Sequence, residues 1–353
     1  MNNLTNNNTT DFQNILHLIQ DAKNRVFVKA NTELVLLYYN VGKIVSEKVK
    51  LGFWGDKTVQ ELANFIQLEE PHLTGFSRRG LYRMKQFYEV YSGEEIVSSV
   101  MTLLQKSENE AVKFVSLLMT QISWTHHLML ISKTKRAEET LFYLQKTITE
   151  KLTVKQLERE INSSSFERTM LGNEMISKLT APINIPQNFL KDPYIFEFLD
   201  LPDGHSEKDF EKAIILNFKN FILEIGKGFT YMGNQYKLQV GNRDFYTDLL
   251  FYHRDLQCLV LFELKIQDFE PEFLGKLNFY LEALDRDVKR PHEKQSIGIL
   301  LCKGKDTEVV EYALARNTSP ALIAEYETKL IDKKILSHKL NQLVTILNKE
   351  EEE

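Results

Sequence analysis

The stretch from Tyr246 to Lys265 constrains this chain more than any other. It holds two apolar runs, Tyr-Thr-Asp-Leu-Leu-Phe-Tyr-His and Cys-Leu-Val-Leu-Phe-Glu-Leu-Lys, either side of Arg-Asp-Leu-Gln. Two β-forming runs around a short polar break predict a hairpin. With the turn centred between Asp255 and Leu256, facing residues have numbers that sum to 511. Asp248 and Glu263 then face each other, with Cβ atoms about 5 Å apart. Two carboxylates so placed repel, and a fold gains nothing from that. A divalent cation would reverse the sign, because hard cations take carboxylate oxygens. Alternation puts Lys265 on the face of Glu263 and turns Leu264 to the core. The competing reading is a half-exposed strand with solvated charges.

A chain of 353 residues has room for two domains. Its net charge of −5 excludes a generally basic coat for nucleic acid, so any such contact must be local. Cys258 and Cys302 both lie in apolar, strand-like runs and read as small core residues in a reducing compartment. With no membrane-length apolar run and no charged-apolar leader, a cytoplasmic protein is expected.

Residues 1–10 are rich in Asn and Thr and read as a disordered tail. Helical spacing starts with Phe12, Ile15, Leu16, Ile19 and Ala22, and continues through Ala30, Leu34, Leu37, Tyr38, Val41 and Ile44. A Gly-Phe-Trp-Gly break over 52–55 ends this pair of helices. A helix over 57–68 and another from the cap Ser77 to Tyr91 form a candidate helix-turn-helix. The second opens Arg78, Arg79, Gly80, Leu81, Tyr82, Arg83, Met84, Lys85, and Arg79 and Arg83 share a face. Such a helix start suits groove reading, and a solvated charged face is the plainer alternative. His126 and His127 are adjacent, so they cannot share a helix face and are poor joint metal ligands. Helices are expected over 107–118 and 124–151, with Thr153 capping another to Ile161. These divisions give a helical domain over 11–165 and a linker over 166–187, where Ser, Gly and Pro cluster.

From residue 188 the pattern changes to a domain ending near 330. One helix is expected over Glu207–Ile225, with Phe210, Ile214, Phe218, Phe221 and Ile225 on one stripe. At about 100° per residue, Glu224 falls at the edge of that stripe. A carboxylate there, at the negative end of a helix, is either a side chain reaching for solvent or a third metal ligand. Gly226-Lys227-Gly228 follows a helix and so reads as its C-cap. Strands near 236–240, 245–253, 258–266, 296–302 and 321–326, with helices over 270–287 and 306–315, complete the order αβββαβαβ. Residues 331–353 read as an amphipathic helix with an acidic end.

This order, with Asp, a gap and Glu-x-Lys, resembles the PD-(D/E)XK nuclease fold. The whole chain is similar to the YhcG-type proteins, which join a helical domain to such a nuclease domain. The resemblance is carried by Leu-Glu-Ile-Gly-Lys-Gly-Phe from Leu223, Gly-Asn-Arg-Asp-Phe-Tyr-Thr-Asp-Leu-Leu-Phe-Tyr-His from Gly241, and Phe-Glu-Leu-Lys from Phe262. Leu-Tyr-Tyr-Asn-Val-Gly-Lys from Leu37 and Trp-Thr-His-His from Trp124 carry it in the first half.

The resemblance implies an α+β two-domain chain, with an all-α, helix-turn-helix-like N-terminal domain and a restriction-endonuclease-like C-terminal domain. It implies hydrolysis of DNA phosphodiester bonds with Mg²⁺ or Mn²⁺, in repair, recombination or defence against foreign DNA. Glu224, Asp248, Glu263 and Lys265 become the active site. Asp248, Glu263, Glu224 and the Leu264 carbonyl become the metal ligands, and Arg78, Arg79, Arg83 and Lys85 the DNA contacts. Many relatives place Gln-x-x-x-Tyr after the Glu-x-Lys strand, where this chain has Lys276 and Tyr280. Lys cannot accept a hydrogen bond as Gln does, so Lys276 is expected to meet phosphate. A homo-oligomer, and a DNA-binding or interaction protein with a silent nuclease fold, stay open.

Overall fold

The structure is a computed structural model. It describes residues 2–104, 108–177, 185–186, 188–201 and 204–350. The chain divides into two compact units, Met1–Ile161 and Asn162–Glu353. No helix among the described residues is long and apolar enough to cross a membrane.

The first unit is helical. It comprises α1 (Asn2–Lys50), α2 (Asp56–Glu69), α3 (Arg78–Tyr91), α4 (Glu94–Leu104), α5 (Glu108–Met119), α6 (Trp124–Lys133), α7 (Ala137–Glu150) and α8 (Val154–Asn162). Where a disordered tail and two helices were expected, α1 is continuous. Its expected stripe is also shifted: Val35, Tyr38 and Val45 are buried, while Leu34, Leu37 and Ile44 are exposed. Both stripes satisfy helical spacing, and the contact with α3 selects one of them.

Gly42 lies in the buried stripe, where an added Cβ would fall 2.0 Å from the Met84 carbonyl oxygen of α3. That backbone atom cannot move aside, so Gly42→Ala must push the helices apart. We expect a loss of about 1–3 kcal/mol, seen as a lower Tm. An unchanged Tm would show that α1 and α3 do not approach this closely.

Two caps follow the expected chemistry. Ser77 Oγ accepts from Gly80 N at 3.2 Å, and Thr153 N donates to Gln156 Oε1 at 2.8 Å. Residues 70–77 join α2 to α3, a longer connection than the about 3–4 residues of a tight helix-turn-helix.

The second unit begins with α9 (Ser165–Ser177), in the stretch expected as linker, and this helix carries the buried Phe166, Glu167 and Arg168. The rest of that stretch, 178–184 and 187, lies outside the described residues. Then come β1 (Tyr194–Ile195), α10 (Glu207–Leu216), α11 (Phe218–Ile225), β2 (Phe229–Val240), β3 (Arg243–His253) and β4 (Cys258–Leu264). They are followed by α12 (Glu272–Ala283), β5 (Ile297–Cys302), α13 (Thr307–Leu314), β6 (Ala321–Glu327) and α14 (Lys333–Glu350). The strands form one sheet in the order β1-β6-β5-β4-β3-β2. From α11 to β6 the order is the expected αβββαβαβ, the one helix expected over 207–225 is divided into α10 and α11, and β1 is an addition that pairs parallel with β6.

The sheet is covered on both faces. Phe210 and Phe221 of α10 and α11 join Phe251, Val260, Phe262 and Ile299 on one side. Leu277 and Leu281 of α12 join Leu250, Leu259, Leu261 and Leu300 on the other. All of β4 is buried, as a central strand with two covered faces must be. Cys258 and Cys302 are free thiols in this core.

Candidate active site

The β3–β4 ladder pairs Leu249 with Phe262 and His253 with Cys258, which is the register expected from the sequence. The same register carried one step beyond the last paired residues sets Asp248 against Glu263. The Leu264 N–H donates to Asp248 Oδ2 at 2.8 Å, fixing that carboxylate at the end of the ladder. Glu263 is fully buried on the α12 side of the sheet. Its Oε1 accepts from Lys276 of α12 and lies 3.5 Å from Lys265 Nζ, while its buried Oε2 has no hydrogen-bond partner. Lys265 Nζ also donates to the Leu264 carbonyl at 3.0 Å.

Burial, and then repulsion from Glu263, push the Asp248 carboxyl up to about 7. Half burial disfavours the charge of Lys276, yet the Glu263 carboxylate holds its ammonium above the usual range. Lys276 also stands 5.2 Å from the ring centroid of Tyr280, a cation–π contact that makes the tyrosine its support.

Glu224 is elsewhere. It is fully buried on α11, and its Oε1 is bound by Arg168 of α9 and accepts from Ile195 N at 3.0 Å. Lys191 Nζ donates to its backbone carbonyl at 2.7 Å. The expectation of a third ligand beside Asp248 and Glu263 is therefore corrected. The physical reason is tertiary: the Glu224 carboxylate is bound by α9 and by β1, an edge strand that β6 and β5 separate from β4. Among the described residues, no group of three His, Cys, Asp or Glu side chains converges as a metal cage.

A different carboxylate reaches the site. Glu207, the first residue of α10, meets Lys265 Nζ at 3.2 and 3.3 Å. Sequence reasoning missed it, although a signal was present. Ser206 and Asp209 form a capping box that fixes where α10 starts, and Glu207 stands inside it. Only the sheet brings that helix start to the end of β4.

In the helical unit, two of the four expected DNA contacts are already paired. Arg78 meets Asp56 at 2.7 Å and Lys85 meets Glu89 at 3.0 Å. Arg79 is exposed and Arg83 half-buried, and neither makes an ion pair among the described residues. His126 and His127 are held in place: His127 Nε2 meets the Met119 carbonyl at 2.7 Å, and His126 Nε2 that of Leu152 at 3.0 Å.

Residues 187–341 match the YhcG PDDEXK nuclease domain, and residues 14–168 match the DUF1016 N-terminal domain. Over 98% of both chains, this protein is 30% identical to "Putative nuclease YhcG" of Escherichia coli (strain K12). The chain belongs to the YhcG family. Among solved structures it resembles a repair endonuclease from Pyrococcus abyssi, at 15% identity and a TM-score of 0.24, over 36% of this chain and 49% of that one. It likewise resembles EndoMS, at 18% identity and a TM-score of 0.24, over 37% and 49%. Membership in the YhcG family rests on the end-to-end relative, and it makes the second unit a PDDEXK nuclease domain with a restriction-endonuclease-like fold.

Proposed function

We propose that this chain is a divalent-metal-dependent nuclease that hydrolyses DNA phosphodiester bonds, with the helical unit binding the DNA. The observation that carries this reading is Asp248 beside Glu263 at the end of a shared ladder, with Lys265 against them. The residues suit a hard cation. Glu263 Oε2 is a buried carboxylate oxygen with no hydrogen bond, and two carboxylates repel where no fold needs them. Asp248, Glu263 and the Leu264 carbonyl would hold Mg²⁺ or Mn²⁺. When bound, such an ion neutralises charge at the scissile phosphate and acidifies water. Glu224 is kept out of this set because Arg168 already neutralises it.

Lys265 supplies the chain's own cation. Glu207 and the Leu264 carbonyl fix its ammonium beside Glu263, where it orients the attacking water or stabilises developing negative charge. Glu207 is a positioning residue, since it acts through Lys265.

Incubation with duplex, branched and single-stranded DNA and with RNA, in Mg²⁺, Mn²⁺ or EDTA, tests the whole reading. Cleavage of DNA with either ion and none in EDTA is expected. A preference for branched DNA would favour repair or recombination, and unrestricted duplex cutting would favour defence. Intact substrates under every condition would leave a binding or interaction protein with a silent nuclease fold.

Arg79 and Arg83 are proposed as the phosphate contacts of the helical unit, because among the described residues neither has a carboxylate partner of the kind that holds Arg78 and Lys85. Replacing both with Ala should weaken DNA binding and lower the slope of log K against log salt by about 2. A filter-binding titration with the same slope as the unaltered protein would return α3 to a solvated helix.

A further inference from the structure

The lysine on α12 has an odd place for a phosphate contact. Its ammonium is bound to Glu263 Oε1, the same oxygen that Lys265 approaches at 3.5 Å. The two lysines differ in freedom. The Lys265 side chain is 10% exposed and tied by Glu207 and the Leu264 carbonyl. The Lys276 side chain is 46% exposed, and Glu263 beneath it is wholly buried. Lys276 thus stands at the mouth, with solvent on one side and the carboxylate on the other. A cation that enters from solvent meets Glu263 Oε1 already covered by an ammonium.

We propose that Lys276 is a displaceable counter-cation that holds Glu263 in the metal-free site and competes with a divalent ion for the Glu263 carboxylate. This rests on the reading that Asp248 and Glu263 are metal ligands. The buried carboxylate keeps a positive partner in both states, so the metal-free protein avoids an unpaired charge in its core. The cost is competition, because ion and ammonium draw on the same carboxylate. Once displaced, the Lys276 ammonium stays on its flexible stem at the mouth, where a polyanionic substrate would approach. Lys276 is therefore a positioning residue that sets metal affinity, and Glu263 is the group through which it acts.

Titration of the full chain with MnCl₂ alone, followed by calorimetry, tests this without any cleavage readout. Lys276→Gln removes the positive charge and should tighten Mn²⁺ binding about tenfold, the worth of one hydrogen bond to a charged group. Lys276→Ala should act in the same direction, and Lys276→Arg, which keeps a cation there, should restore the weaker binding. The rise in Tm on adding Mn²⁺ should be larger for Lys276→Gln than for the unaltered protein, as tighter binding to the native state requires. Asp248→Asn, which should abolish binding, identifies the site. If the unaltered protein binds Mn²⁺ through Asp248 and neither Lys276→Gln nor Lys276→Ala binds more tightly, Lys276 is no competitor and the metal site stands without it. If no variant binds Mn²⁺, the metal reading falls and this inference falls with it.

Discussion

Replacing Asp248 by Asn is expected to cut nuclease activity by about a thousandfold or more, because several kcal/mol of metal-supplied charge stabilisation are lost. The same substitution should stabilise the metal-free fold. Asn keeps a side-chain oxygen for the Leu264 N–H, which donates to Asp248 at 2.8 Å, so the end of the ladder survives. It also removes the repulsion from Glu263 that, after burial, pushes Asp248 up to about 7. The sign follows from linkage. The native state holds this proton more tightly than the unfolded chain, where an ordinary Asp titrates near about 4. The Asp248 protein therefore loses stability as pH rises from about 4 through about 7. The advantage of Asn should be about 1–2 kcal/mol at pH 8, allowing for solvent at this half-buried group, and should vanish at pH 4. Denaturant unfolding at both pH values, without metal, reads it. Full cleavage by the Asn variant at matched Mg²⁺ would remove Asp248 from the site.

The second large effect concerns the buried pair on the far side of the sheet. Arg168 and Glu224 are both fully buried, and the arginine also donates to the Ser163 carbonyl at 2.7 Å and the Pro193 carbonyl at 3.1 Å. One guanidinium thereby joins α9, the segment before β1 and α11. Arg168→Ala should cost about 3–5 kcal/mol, because it removes the closer cation from a fully buried carboxylate and leaves it only Lys191 Nζ, 3.6 Å from Glu224 Oε2. Adding Glu224→Gln should recover part of that loss, since the double variant no longer buries a carboxylate that has lost its closer cation. A single-variant cost below about 1 kcal/mol, or a strictly additive double variant, would show that the pair does not anchor α9. Metal binding should survive in Glu224→Gln, which separates an anchor from a ligand.

Local patterns were enough for much of this protein. Period-2 alternation and one short turn determined the β3–β4 register, and with it the meeting of Asp248 and Glu263. Ser77 and Thr153 marked helix starts, and Gly226, at a φ of 107°, marked a helix end. These rules act between residues a few positions apart, so the chain displays them directly. Four features were not legible. The break at Asn217 lies inside an unbroken apolar pattern. α9 occupies a stretch whose composition reads as linker. The stripe that α1 buries is chosen by α3 from two equally periodic candidates. Glu207 meets Lys265, and Glu224 meets Arg168, across 58 and 56 positions of sequence. Periodicity says that a side chain turns inward but not which face of the sheet its helix covers. Residues far apart in sequence become partners only when strand order and helix placement bring them together, and for Glu224 that placement turned an expected metal ligand into the anchor of a buried ion pair.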